Sequence, residues 1–296
     1  MRGFLSFIIL SCLVLAGAGW WLTTPERVEP SAYAGLVGVP ARGEVVFHAG
    51  GCASCHSAPD SSGAARLILS GGRAFVSDFG TFHAPNISQD PDHGIGAWDI
   101  IDLANAMIHG TSPQGQHYYP AFPYTSYSRA TAQDIVDLHA YMVTLPADAT
   151  PDQPHDLAFP FTLRRGLGLW KALYLDEDWT LTSELTDTEE RGRYLAEALG
   201  HCAECHTPRG ALGALDRSRW MAGAPNPSGR GTIPNITPAK LDWSESDIVA
   251  YFTSGFTPDY DTAGGSMAAV VEGLSQLTED DRAALAAYLK RLPPID

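Results

Sequence analysis

The chain has 296 residues, 45% of them hydrophobic, and a formal net charge of −15. That length allows one to three domains with proper cores. The acidic balance excludes a nucleic-acid binder, which needs clustered Lys and Arg.

The first predicted element is apolar. Phe4 to Leu22 carries no charge and is long enough to cross a bilayer as a helix. Arg2 precedes it, so the positive-inside rule puts the bulk of the chain on the exported side, with Trp20 and Trp21 anchoring the far interface. A cleaved signal peptide with Ala16-Gly17-Ala18 as its small-residue site is the competing reading. The retained anchor, residues 1–25, is favoured because apolar character continues past Ala18 through Leu22. Cys12 lies inside this segment and reads as one more small apolar residue.

The stretch "GGCASCHSAP" follows at residues 50–59, and "GHCAECHTPR" comes at 200–209. Each places two cysteines at i and i+3 with a histidine directly after: Cys52, Cys55, His56, and Cys202, Cys205, His206. Export would permit a disulfide, but a disulfide leaves the histidine unexplained, twice. Zinc could use four thiolates, but the two pairs lie far apart, each within its own similar half. Covalent c-type haem uses all three residues. Residues i and i+3 share one face of a helical turn, so both thiols can form thioethers to one haem edge. The next residue, His56 or His206, then gives its imidazole to the iron as proximal ligand. The expectation is two covalently bound haem c groups, each with its iron.

The halves repeat beyond these motifs. "APNIS" (84–88) returns as "IPNIT" (233–237), "AWDIIDLANAMIHG" (97–110) as "DWSESDIVAYFTSG" (242–255), and "TAQDIVDLHAYMVTLP" as "TEDDRAALAAYLKRLPP". The spacing from Trp98 to Gly110 equals that from Trp243 to Gly255. Ile100, Leu103, Ala104 and Met107 follow the helical i, i+3, i+4, i+7 period, and Ser244 to Asp247 reads as a helix start. Thr131 and Thr278 open the last helix of each copy; Pro146 and Pro293 close it. No stretch has sustained period-2 alternation. Two copies are too few and too long for a solenoid, so this is a duplicated helical unit. Domain 1 is placed at 38–147, a connector at 148–186 and domain 2 at 187–296. The connector begins polar and Pro-rich, then carries the apolar "GLGLWKALYL"; it should hold the two haems in a fixed relation.

With "NISQDPDHGIGAW" (86–98), "YYPAFPY" (118–124), "HTPRG" (206–210) and "GGSM" (264–267) added to the two cysteine motifs, the chain after residue 38 resembles a known family. These are the membrane-bound cytochrome c subunits of bacterial periplasmic alcohol, gluconate and aldehyde dehydrogenases. The resemblance implies an all-α fold of two tandem class I-like cytochrome c domains behind one N-terminal transmembrane helix. It implies a place in the bacterial inner membrane, facing the periplasm. It also implies electron transfer without catalytic residues of its own, from a dehydrogenase catalytic subunit to a quinone, cytochrome or terminal oxidase.

The resemblance further implies His/Met ligation, which falls on Met267 for the second haem. Domain 1 departs from the pattern, because the corresponding position in "YPAFPY" is Phe122, and phenylalanine cannot ligate iron. Met107 and Met142 read as core residues. His117 is the nearest nitrogen ligand, His83 a more remote one, and a five-coordinate or water-bound iron is the remaining choice. Trp98 and Trp243 are expected to pack against the haems, and Asn86 and Asn235 to fix loop turns. The open position motivates an alternative: a dihaem enzyme of peroxidase or thiosulfate-oxidising type, with His83, His93 and His117 as acid–base groups. A subunit of a respiratory oxidase is a third reading, disfavoured by its different haem-flanking segments.

Overall fold

The computed structural model describes residues 2–227, 229 and 231–296. Helix α1 (Arg2–Leu22) carries no charge after Arg2, and over Gly3–Leu22 none of it is buried against the rest of the chain. It is the one helix among the described residues long and apolar enough to cross a membrane. The turn that follows is stitched to the first copy: Val28 N–H donates to Asn105 Oδ1 at 2.8 Å and Arg27 donates to the Pro113 carbonyl at 3.0 Å.

In the first copy, α2 (Pro40–Ala49) starts on Pro40, whose missing N–H costs nothing at a helix N-terminus. Next come the short α3 (Cys52–His56), α4 (Ile100–His109), α5 (Tyr124–Tyr127) and α6 (Ala132–Met142). The second copy has α8 (Asp187–Arg193), α9 (Ala203–His206), α10 (Glu245–Ser254), α11 (Ser266–Leu274) and α12 (Glu279–Arg291), and α7 (Gly166–Tyr174) lies in the connector between the copies. The expected helix starts are capped by their own side chains. Thr131, Ser244 and Thr278 each accept from the backbone N–H three residues on. Gly110 and Gly255 end α4 and α10 in the left-handed conformation.

Each copy is closed by its first and last helices crossing at a glycine. A Cβ on Gly43 would stand 1.9 Å from the Asp137 carbonyl oxygen, and one on Gly192 would stand 1.9 Å from that of Ala284. Backbones this close admit no side chain at the crossing. From Gly192 to Cys202 the chain is one residue longer than from Gly43 to Cys52. Residues 194–199 absorb the extra residue as a π-type turn, and Glu197 within it is buried.

The chain is mostly helical but not all-α. A hairpin, β1 (Ala74–Ser77) with β2 (Gly80–His83), pairs onward with β3 (Asp156–Leu157) of the connector, and β4 (Ala224–Pro225) pairs with β5 (Thr232–Ile233). Strands of two to four residues are too short to show an alternating pattern in sequence.

One apolar cluster runs through both copies, from Val46, Phe47 and Leu138 to Leu195, Leu285 and Tyr288. Helix α11 of the second copy packs on α2 and α3 of the first; a Cβ on Gly273 would lie 2.8 Å from the His48 carbonyl oxygen. The copies therefore share an interface that fixes their relation.

Candidate haem sites

The first motif sits on α3, entered through Gly51 in a left-handed conformation (φ 63°); the second sits on α9, entered through His201, also left-handed (φ 41°). After each motif the chain turns back identically: Gly71 N–H donates to the His56 carbonyl and Gly223 N–H to the His206 carbonyl, both at 2.7 Å. Each turn brings up the Pro-Asn-Ile loop. His56 Nδ1 donates to the Pro85 carbonyl at 2.9 Å, and His206 Nδ1 donates to the Pro234 carbonyl at 2.7 Å. This bond sets the tautomer, leaving Nε2 as the free lone pair of each ring. Burial lowers both histidine pKa values, against the raising effect of the prolyl carbonyls, which favours the neutral ring, the form that ligates a metal.

The asparagines of the same loops act as turn anchors. Asn86 Nδ2 donates to the carbonyls of Asp148 (2.7 Å) and Thr150 (2.9 Å), and Asn235 Nδ2 donates to that of Ile295 (2.6 Å). Each thereby ties the segment after the last helix of its copy to the haem loop. Trp98 and Trp243 are half-buried against the apolar cluster, Trp243 edge-on to Tyr251 at 5.3 Å.

All five cysteines are free. Burial pushes the Cys52 and Cys202 thiols up to about 12. Among the described residues, no group of three or more His, Cys, Asp or Glu is gathered to hold a metal ion. The donor set therefore fits thioether attachment with a single imidazole below, and does not fit a zinc cluster. Half-buried apolar side chains around each motif, Cys52, Ile87 and Phe122 in one copy and Cys202, Ile236 and Met267 in the other, line the core without being enclosed by it. That is the surface a flat apolar group would complete.

The loops after α4 and α10 share one hydrogen-bond pattern. Thr111 bridges His117, and Phe256 bridges Thr262. Tyr118 N–H donates to the Gly110 carbonyl at 2.7 Å, and Ala263 N–H to the Gly255 carbonyl at 2.8 Å. Counting on from Tyr118 and Ala263, Phe122 falls where Met267 falls. Met267 is the second residue of α11, half-buried. Phe122 is half-buried among Tyr118, Tyr124 and Tyr127, at ring distances of 6.0, 6.4 and 5.7 Å. His117 aligns with Thr262 and is engaged elsewhere: its Nε2 donates to the Thr23 carbonyl at 3.0 Å, tying the end of α1 to domain 1. The His83 backbone N–H donates to His155 Nδ1 at 3.1 Å, and His93 pairs with Asp90 at the surface. Met107 and Met142 are buried in the core, as expected.

The two motif turns face each other across the shared interface. His201 Nε2 donates to the Gly50 carbonyl at 3.3 Å and stacks edge-on against Tyr127 at 5.7 Å. Tyr127 OH donates to the same Gly50 carbonyl at 2.7 Å, and Thr125 Oγ1 donates to Glu204. Burial raises the Cys205 thiol, with a further contribution from Glu204 and a smaller one from Cys55 of the other motif. His201 and Glu204 were not singled out in the sequence; their only signal is position, His201 directly before a haem motif and Glu204 between its cysteines. Glu197 was missed as well. It accepts from Tyr288 OH and, at 3.0 Å, from Thr180 N–H, and the one-residue difference between the copies is the clue to it.

Two copies of one helical unit, each presenting a cysteine pair and a carbonyl-oriented histidine, define a tandem c-type haem protein. The family model described as Cytochrome c matches residues 40–146 and 189–293, and the chain belongs to the cytochrome c family. A protein described as "Diheme cytochrome c-type" from Cereibacter sphaeroides is 60% identical over all of both chains. The fructose dehydrogenase cytochrome subunit of Gluconobacter japonicus is 35% identical over 95% of this chain and 57% of its own length. The alcohol dehydrogenase (quinone) cytochrome c subunit of Komagataeibacter europaeus is 36% identical over 86% of this chain and 56% of its own. The chain thus spans somewhat more than half the length of these dehydrogenase subunits. It is a dihaem cytochrome c, and its cofactors are two covalently bound haem c groups.

Proposed function

We propose that the chain carries electrons from the catalytic subunit of a periplasmic dehydrogenase to a respiratory-chain acceptor, held at the inner membrane by a retained α1. Each haem, when bound, supplies one-electron exchange at its iron. The chain's own residues do the rest. Cys52 and Cys55, and Cys202 and Cys205, hold the haem edges; His56 and His206 serve as proximal ligands, kept in register by the carbonyls of Pro85 and Pro234. Met267 serves as distal ligand in domain 2. In domain 1 Phe122 leaves the matching position without a donor, and His117 is committed to Thr23.

The observation that carries this reading is the packing of the two motif turns on one another through Gly50, Tyr127 and His201. A shared, continuous core keeps that contact rigid, and a fixed short separation is what transfer between two centres requires. The names of the similar dehydrogenase subunits support the donor class. The test is reduction by a dehydrogenase: the purified chain should be reduced by a periplasmic quinoprotein or flavoprotein alcohol, sugar or aldehyde dehydrogenase in its substrate's presence. It should show no turnover of the substrate alone. The second reading, a peroxidase or thiosulfate oxidase, draws on Phe122 alone. Steady turnover of peroxide or thiosulfate by the isolated chain would favour it.

A further inference from the structure

The connector helix α7 has its polarity turned inside out. It buries Gly168 against Thr23, where a Cβ would stand 2.6 Å from the Thr23 Cα. It directs Lys171 inward, the ammonium donating to the carbonyls of His109 and Gly110. Its outward face holds Gly166, Leu169, Ala172 and Leu173 and carries no charge. Phe159, Leu163, Leu169 and Leu173 are each more than half exposed. A surface helix of a soluble domain does the reverse, with apolar residues inward and charge outward. Contiguous exposed apolar surface of this kind marks an interaction site.

Its place in the fold says what covers it. Arg165, between Leu163 and Leu169, donates to the Trp20 carbonyl and, at 2.9 Å, to Thr23 Oγ1, and its guanidinium lies 4.1 Å from the Trp20 ring centre. The patch is therefore continuous with the end of α1, level with the exposed Trp20 and Trp21. Tryptophans at the end of an apolar span mark the headgroup depth of a bilayer. Arg165 sits at that level in a chain that is otherwise strongly acidic, which suits an anionic headgroup layer. From the second copy, the exposed Leu212 is joined to this region by Trp170 Nε1, which donates to its carbonyl at 2.8 Å.

We propose that the outward face of α7, together with Phe159 and Leu163, lies in the headgroup layer of the phospholipid bilayer. The connector is then a second membrane contact that sets the tilt of both haem domains over the membrane. This rests on the retained α1 proposed above. α1 alone would leave the domains free to swivel about a single helix, whereas α1 and α7 together define a plane.

The full-length, haem-loaded chain, in nanodiscs containing a phospholipid with a photoactivatable acyl chain, provides the test. After illumination, lipid adducts are mapped by mass spectrometry. Adducts are expected on α1 and on residues 159–174, and none on Phe256 and Tyr260 of domain 2, which are at least as exposed as Leu169. Leu169→Glu with Leu173→Glu, at exposed positions, should cut α7 adducts several-fold while haem content and α1 adducts stay constant. Adducts on α1 with none on α7 would overturn the proposal and show a wet or protein-covered face. Undiminished α7 adducts in the double variant would overturn it too. An absence of adducts on α1 would instead remove the anchor reading on which it stands.

Discussion

Gly192→Ala tests the helix crossing that closes domain 2. The added Cβ would stand 1.9 Å from the Ala284 carbonyl oxygen and 2.7 Å from Tyr288 Cβ, and Cβ contacts under 3.0 Å are essentially never seen. Helices α8 and α12 must therefore part by about 1.1 Å, the difference between 3.0 and 1.9. A gap of about 0.5–1 Å forfeits about a quarter to a half of the dispersion well for the groups that line it. Leu285, worth about 1.5–3 kcal/mol when buried, loses such a share, as do Tyr288 and its other buried neighbours. The hydrogen bond from Tyr288 to the buried Glu197 is strained as well. Together these losses come to about 2–4 kcal/mol. Against them, alanine gains about 1 kcal/mol over glycine in helix propensity. The net loss is about 1–3 kcal/mol, read as a lower denaturation midpoint by far-ultraviolet circular dichroism and by the Soret band. Gly166→Ala is the control: nothing lies within 4 Å of its Cβ, so it should be neutral or slightly stabilising. A Gly192→Ala variant as stable as wild type would refute the argument that the crossing is closed backbone to backbone.

Other outcomes follow from the site. Replacing Cys52 and Cys55 with alanine should leave one covalent haem per chain after denaturation, and extractable haem or bound zinc in the wild type would contradict thioether attachment. Glu197→Ala leaves the buried Tyr288 hydroxyl and the half-buried Thr180 N–H without their acceptor, at a cost of about 1–3 kcal/mol, measurable by denaturant titration; no loss would mean that water reaches this pair. Full-length protein should need detergent for extraction, and a truncated chain starting near residue 30 should be soluble. Mature protein beginning at Gly19 would establish the cleaved signal instead. Met267→His should lower the higher of two reduction potentials, because thioether ligation raises the potential relative to imidazole. A change in the lower one would assign Met267 to the wrong haem.

Much of the site was legible because its chemistry is local in sequence. The cysteine pairs and their histidines lie within one helical turn, so spacing alone exposes them. The duplication was equally visible, but Phe122 and Met267 were singled out by the family resemblance, and the shared hydrogen bonds of the two loops then set them at matching positions. Helix caps at Thr131, Ser244 and Thr278 also showed, since a cap is a contact between near neighbours. What stayed hidden depends on contacts far apart in the chain. The Pro85 and Pro234 carbonyls orient the histidines through backbone atoms, which leave no mark on residue type. Gly43 and Gly192 look like ordinary helix glycines until the partner helix is in place. The hairpin at residues 74–83 is stabilised by β3 of the connector, whose two residues have no pattern of their own. The contact of His201 with Gly50 joins two copies that the sequence could only describe separately.

The ferric wild-type protein, examined for its thioether–iron charge-transfer band against total haem, tests the asymmetry between the two sites most directly. The account predicts two covalent haems and a single such band, of one-haem intensity, that disappears in Met267→His and doubles in Phe122→Met if the loop geometry accepts the new ligand. Carbon monoxide should bind the other haem in the ferrous protein, since His117 is held by Thr23. Two methionine bands in the wild type, or one that survives Met267→His, would contradict it and point to Met107 or Met142 as a ligand.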